Sequence, residues 1–325
     1  MPASAVSAAA ELAALRLGVT TRHLAASVGL SPRDVRRALE QGYLCEPIPG
    51  VLSFPDRTPH HWHHRLSTVT AAGGDHAVVS HRAAARIHRF DGFTEAPIEV
   101  TTQRPRRLML PRDFADVVTH QACSLEPVDI VEMMGLRVTS VARTMADIGS
   151  VVGRDAVWRA LIGVQRANVS PRWLYQTAVR LHRPGQAGTG RLLGALRRWQ
   201  QEGVMPDSWM EELLHRIVAD ESLGPVVRQC PITDQCGRVI ARADIGFPAV
   251  RLGLEGHSRE FHFGPDAGAL DEDRDLRCAQ QGWELLYLGW YATRRPADVH
   301  AIVRDVVQAR AASSRSAISQ DRRVL

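Results

Sequence analysis

Between Val239 and Glu255 two short apolar runs meet at Phe247-Pro248, and each carries one carboxylate near its end: Asp244 in the first, Glu255 in the second. Runs of this length and branching read as β-strands, and the Phe-Pro step reads as the turn of a hairpin. Asp244 sits between Ala243 and Ile245, where an ionised side chain is costly to bury without a partner. A hairpin sets its residues side by side, so Asp244 and Glu255 are predicted to converge, and two such carboxylates are suited to one divalent cation such as Mg²⁺. Upstream, an amphipathic segment begins at Ser208, and the spacing of Glu211 from Ser208 fits a capping box.

The chain has 325 residues, enough for two or three domains, and 45% apolar content to fill their cores. Its start lacks a basic segment followed by an apolar centre, and no long apolar run is present, which predicts a cytoplasmic protein with no membrane partner. The five cysteines are scattered without paired knuckle spacing, so they read as reduced thiols rather than zinc ligands. All forty basic residues are arginine, which excludes any mechanism that needs a catalytic lysine. Residues 1–112 hold 14 Arg against 9 Asp and Glu, whereas residues 113–325 hold 26 of each. The whole positive excess is therefore N-terminal, the sign expected for a polyanion partner.

Helical spacing is read over 8–17, 21–28 and 32–41, with Ser31-Pro32 as a helix start and Gly29 in a tight turn before it. This is helix-turn-helix grammar, with Val35, Ala38 and Leu39 inward and Arg33, Arg36 and Arg37 on the outer face. Arg22 opens the preceding helix and joins the candidate phosphate contacts. Residues 42–54 alternate around a Pro-Gly turn, as a wing does. His60 to His64 include four histidines, yet no carboxylate or cysteine nearby completes a metal site, so they read as polar surface. Arg104, Arg106 and Arg107 form a basic loop that adds candidate phosphate contacts. Strands are read at 77–79 and 98–102 and helices over much of 138–201, with the glycine-rich stretch 183–190 as a flexible link. From 206 the order is helix, three strands, helix, strand, helix, and Asp271, Asp273 and Asp275 are read as the negative first turn of the second helix.

That order, with Ser208-x-Met-Glu211, Gln229, Arg242-Ala-Asp244-Ile-Gly-Phe-Pro, Leu254-Glu255-Gly-His257, His262 and the run Asp273 to Trp283, resembles the restriction-endonuclase-like PD-(D/E)XK fold. Within it the segment looks like the DUF559 group related to very-short-patch repair endonucleases. The N-terminal two thirds resembles the AbiEi type of antitoxin and transcriptional regulator, through the winged helix, Ser80-His81-Arg-Ala-Ala-Ala, Ile98-Glu-Val and Val138-Thr-Ser-Val-Ala-Arg-Thr. The resemblance implies Asp244 and Glu255 as Mg²⁺ ligands, Glu211 as their helper, and His257 and His262 as a histidine pair able to act as general base. His257 stands where the wider fold carries lysine.

The expected architecture is a multidomain α/β (α+β) chain: a winged helix-turn-helix over 1–56, a mixed middle over 57–205 that is largely helical with a few strands, a restriction-endonuclease-like domain over 206–311 and a disordered tail over 312–325. The leading expectation is a sequence-specific protein of double-stranded DNA, a regulator of the antitoxin kind. A Mg²⁺-dependent endonuclease, and an antitoxin acting by contact with a cognate toxin or as a homodimer, are the rivals.

Overall fold

The computed structural model describes residues 3–55, 61–103, 105, 107–183, 187–202, 208–257, 265–289 and 291–321. It shows mixed α and β content in a multidomain α+β arrangement, divided into two compact units, Met1–Gln201 and Glu202–Leu325.

The first unit begins with α1 (Ala3–Ala14), β1 (Val19–Thr21), α2 (Arg22–Ser27) and α3 (Pro32–Glu40). Local chemistry sets each boundary. The Thr21 hydroxyl accepts the Leu24 N–H at the start of α2, and Ser31 caps α3 by accepting the Asp34 N–H with Pro32 in the first turn. Gly29, between the two helices, has φ +87°, a left-handed conformation that favours glycine. β2 (Cys45–Ile48) and β3 (Val51–Ser53) follow, and the sheet order is β1-β3-β2, antiparallel throughout. Ala9, Ala13, Ala25, Leu30, Val35, Ala38 and Leu52 form the core of this winged-helix arrangement. The three-residue strand β1 is not legible in the sequence.

The rest of the unit is built on a five-stranded mixed sheet. α4 (His61–Gly73) leads into β4 (Ala77–Val79), α5 (His81–Ile87), β5 (Glu99–Gln103), β6 (Val118–Ala122), β7 (Ile130–Met133) and β8 (Leu136–Thr139), in the order β6-β5-β4-β8-β7. The helices α6 (Val141–Val151), α7 (Arg154–Arg166), α8 (Pro171–Leu181) and α9 (Ala187–Glu202) complete it. One apolar cluster runs from Val19, Ile48 and Val51 of the winged helix through Leu66 and Val69 of α4 to Val79, Val100 and Val138 of the sheet. The core is thus continuous across residue 56, where a domain boundary was expected. Gly135 marks the same junction. Its φ is +71°, and a Cβ there would lie 2.0 Å from the Leu15 carbonyl oxygen. Gly135→Ala is expected to cost about 2–3 kcal/mol, by overpacking and by strain together. A midpoint shift in urea measures it, and an unchanged midpoint would contradict the close approach.

Of the segment 183–190, expected to be a flexible link, residues 184–186 lie outside the described residues and 187–190 are helical. Gly188 lies inside α9, and a Cβ on Gly149 of α6 would come within 2.2 Å of the Gly188 carbonyl oxygen. These glycines serve a close helix crossing rather than chain flexibility.

The second unit comprises α10 (Trp209–Val218), β9 (Val227–Thr233), β10 (Val239–Phe247), β11 (Leu252–His257), α11 (Pro265–Gln280), β12 (Glu284–Gly289) and α12 (Pro296–Asp321). The sheet order is β12-β11-β10-β9, antiparallel except for the parallel β11/β12 pair. One apolar layer joins Met210 and Leu214 to Ile245, Phe247, Leu252, Leu254 and Val303, and a second joins Cys230, Ile232, Ala243 and Cys278. α12 continues to Asp321, through much of the segment expected to be a disordered tail. α11 begins at Pro265, six residues before the acidic cluster, so that cluster is not a first turn. Asp273 pairs with Arg277 at 2.5 Å, and Asp275 meets the Tyr287 hydroxyl at 2.5 Å.

Candidate functional site

On α3, Val35 and Ala38 are buried while Arg33, Arg36 and Arg37 are exposed. Among the described residues none of the three forms an ion pair or side-chain hydrogen bond. Arg22 is different. Its guanidinium grips Glu46 of β2 through Nε at 2.8 Å and Nη2 at 2.5 Å, and the same carboxylate accepts the Gly50 N–H at 2.7 Å. Hydrogen bonding to Arg22 holds the Glu46 carboxyl below its ordinary range. Arg22 therefore staples the wing to α2, and the free basic face is that of α3. Arg107 is exposed, whereas Arg104 and Arg106 lie outside the described residues.

Within the histidine run His61 is exposed, whereas His64 has a structural contact. The His64 Nε2 lies 2.7 Å from the Ser53 hydroxyl, and burial lowers the pKa of this ring. The Trp62 indole donates to the Ala96 carbonyl at 2.7 Å, with Arg86 stacked 4.1 Å over the ring. His60 lies outside the described residues.

In the second unit Ser208 caps α10, and the Glu211 and Glu212 side chains that follow are fully buried. Glu212 takes Arg216 at 2.6 Å and Arg228 at 3.0 Å. Glu211 Oε2 accepts from the Gln229 amide at 2.8 Å. Gln229 holds φ +47° within β9, a strained conformation that interrupts the alternation of the strand. Arg228 and Gln229 consequently both reach α10, while Cys230 and Ile232 enter the opposite layer. The pairs Arg228↔Ile245 and Cys230↔Ala243 bracket Gln229 and Asp244, which sets those two across from each other. Asp244 Oδ2 accepts the Gly256 N–H at 2.7 Å, on the side of Gly256 that faces Met210.

Glu211, Gln229, Asp244 and the Glu255-Gly256 step thus form one row across α10, β9, β10 and β11. Glu255 leans the other way. Gly256 faces α10, so its neighbour faces the layer of α11, where the charge of Glu255 acts on Arg274. Among the described residues no group of three or more His, Cys, Asp or Glu side chains is placed to hold one metal ion. Mg²⁺ is often held by one or two carboxylates and several waters, a set that Asp244 is able to anchor. The His257 side chain and His262 lie outside the described residues.

A third constellation, in the first unit, was not assembled by sequence reasoning. Glu99 is fully buried, gripped by Arg82 through Nε at 3.0 Å and Nη2 at 2.9 Å, and meets His120 at 3.2 Å. Asp129, also buried, takes Arg143 at 3.2 Å and Arg180, and Arg143 holds Asp147 through Nε at 2.9 Å. The His81 ring stacks on His120, with centroids 3.6 Å apart. The motifs around Ser80, Glu99 and Arg143 therefore meet in space. Their signal was charged residues within apolar surroundings, but, Arg143 and Asp147 aside, the partners lie 14 to 51 positions apart.

Titration of this network has a definite sign. Burial, reinforced by His120, brings the His81 pKa down to about 3, so its stabilising contribution is full above pH ~6.5 and is lost as pH falls toward 3. Burial alone would raise the Glu99 carboxyl, but hydrogen bonds from His120 and Arg82 outweigh it and bring it to about 2. Its contribution is lost between pH ~4.5 and 2. Burial raises Asp147 to about 6 against the pull of Arg143, which acts in the opposite sense and regains stability as pH falls below 6. The melting temperature is expected to decline on the acid side of pH 6.5, and His81→Asn to flatten that limb. An acid limb unaltered in the variant would contradict the assignment.

No family model matches the chain. Two uncharacterized proteins of Mycobacterium tuberculosis, one from strain CDC 1551 and one from strain ATCC 25618, are 24% identical to it over 222 residues, covering 68% of this chain and 78% of theirs.

Proposed function

We propose that the chain binds double-stranded DNA through its N-terminal winged helix, as a transcriptional regulator working in the cytoplasm. The observation that carries the reading is α3: a helix anchored by Val35 and Ala38, set behind the Gly29 turn and presenting three arginines that have no partner among the described residues. An exposed helix N-terminal half bearing guanidinium groups suits the major groove and its flanking phosphates. The concentration of positive charge before residue 113 supports it. Among the described residues no helix is long and apolar enough to cross a membrane. Anisotropy titration of the full chain against labelled duplex DNA at low salt tests the proposal. Saturable binding that weakens as salt is added is expected, and no binding at low salt would sink it.

A second reading is favoured by the row Glu211, Gln229, Asp244 and Gly256: a metal-dependent DNA endonuclease. The strain held at Gln229 is of the kind found at working sites. Asp244 would anchor Mg²⁺, which would supply a charge to orient water and phosphate. Incubation of supercoiled DNA with the protein and Mg²⁺ is expected to give nicking that disappears in Asp244→Asn. Equal nicking by the variant, or none by either protein, would contradict this reading and leave the DNA-binding proposal standing.

A further inference from the structure

The first unit contains a cavity of about 340 Å³ lined by His81, Thr101, His120, Arg143, Asp147 and Arg183, among others. It is large enough for a small metabolite. What such a ligand must be follows from the hydrogen-bond inventory of the walls. The carboxylate of the lining, Asp147, receives Arg143 Nε on both oxygens at 2.9 and 3.1 Å, and the carboxylates that contact the lining His120 and Arg143 are engaged as well: Glu99 by Arg82, Asp129 by Arg143 and Arg180. Donors are left over. Arg143 is 6% exposed and uses Nε and Nη1, while among the described residues Nη2 has no recorded partner.

His81 supplies a second donor. Thr101 donates to the Ser80 hydroxyl at 2.7 Å, so the serine proton is free to go to His81 Nδ1, 2.9 Å away. With Nδ1 accepting the serine proton, the remaining ring proton lies on Nε2. The residue holds φ +51°, and its ring is clamped against His120. A strained, non-glycine backbone held by a buried stack is a fixed device rather than a mobile side chain. At the exposed rim, Arg183 uses only Nη1, on the Arg180 and His182 carbonyls, and has no carboxylate partner among the described residues.

We propose that this cavity binds a small oxyanion, a phosphate- or carboxylate-bearing metabolite, through His81 Nε2, Arg143 Nη2 and the Arg183 guanidinium. The ligand supplies the acceptors that these donors lack, and Arg183 presents a planar fork suited to such groups. Asp147 does not oppose it strongly, because Arg143 already offsets its charge.

The test is calorimetric titration of the full chain with inorganic phosphate, AMP and succinate as separate probes. Saturable binding of at least one is expected. Preference for phosphate or AMP identifies a phosphoryl ligand, and preference for succinate a carboxylate. Arg183→Ala, at the exposed rim, is expected to weaken binding about tenfold with no change in melting temperature. His81→Asn tolerates the left-handed backbone but withdraws the Nε2 donor, and is expected to weaken it at least as much. No saturable binding of any probe, or variants that bind as tightly as the parent, would overturn the proposal. Arg183→Ala is expected to leave duplex DNA affinity unchanged, so this result stands apart from the DNA-binding reading.

Discussion

Replacing Arg33, Arg36 and Arg37 together with alanine is expected to weaken binding of the full chain to duplex DNA by roughly 100-fold at low salt. Each guanidinium is exposed on α3 and unpaired within the described residues, so its donors are available to phosphate or base edges without first breaking an internal ion pair. At about 1 kcal/mol for each charge-assisted contact, three contacts sum to about 3 kcal/mol, which is two orders of magnitude in affinity. Stability should be nearly untouched, because exposed side chains away from caps and cores usually alter it by less than about 0.5 kcal/mol. The variant must therefore melt with the parent while binding poorly. Arg22→Ala should show the reverse, loss of the Glu46 staple with little direct loss of DNA contact.

The largest effect on stability is expected at Glu99. Glu99→Ala removes the partner shared by Arg82 and His120 and leaves their polar groups facing a space that only the carboxylate filled. Breaking a buried pair typically costs about 3–5 kcal/mol, and the partial exposure of Arg82 argues for the lower end, about 3 kcal/mol. Glu99→Gln keeps an acceptor for Arg82 and should cost less. Urea denaturation monitored at the first unit reads both. Equal stability of Glu99→Ala and the parent would mean that the network is decorative.

Much of the winged helix was legible because its signals are local: Ser31-Pro32 at the start of α3, Gly29 in the turn, and inward Val35 and Ala38 spaced along one face. The secondary elements of the second unit were legible for the same reason. Where sequence reasoning stopped short, the cause is distance along the chain. β6 alternates between partly buried and exposed residues and has no apolar face to announce it, and β7 is mostly exposed. The sequence therefore indicates only a few strands among the helices of the middle segment, where a five-stranded sheet is present. Gly188 reads as part of a flexible link because the close approach it makes with Gly149 exists only after two helices cross. Asp244 and Glu255 are expected from the sequence to converge, but Glu255 turns toward α11, and the sequence does not reveal the left-handed turn at Gln229 that accompanies a break in strand alternation beside Asp244. Nor could it show Arg22 committed to Glu46, a pairing that needs the wing in place.

The most direct test of DNA binding by α3 is the slope of log affinity against log salt for the parent and for the triple arginine variant. Each phosphate contact contributes about −0.9 to that slope, so losing three should make it shallower by about 2.7. A variant that binds more weakly with that shallower slope is the predicted result, and a variant whose slope and affinity equal the parent's would contradict it.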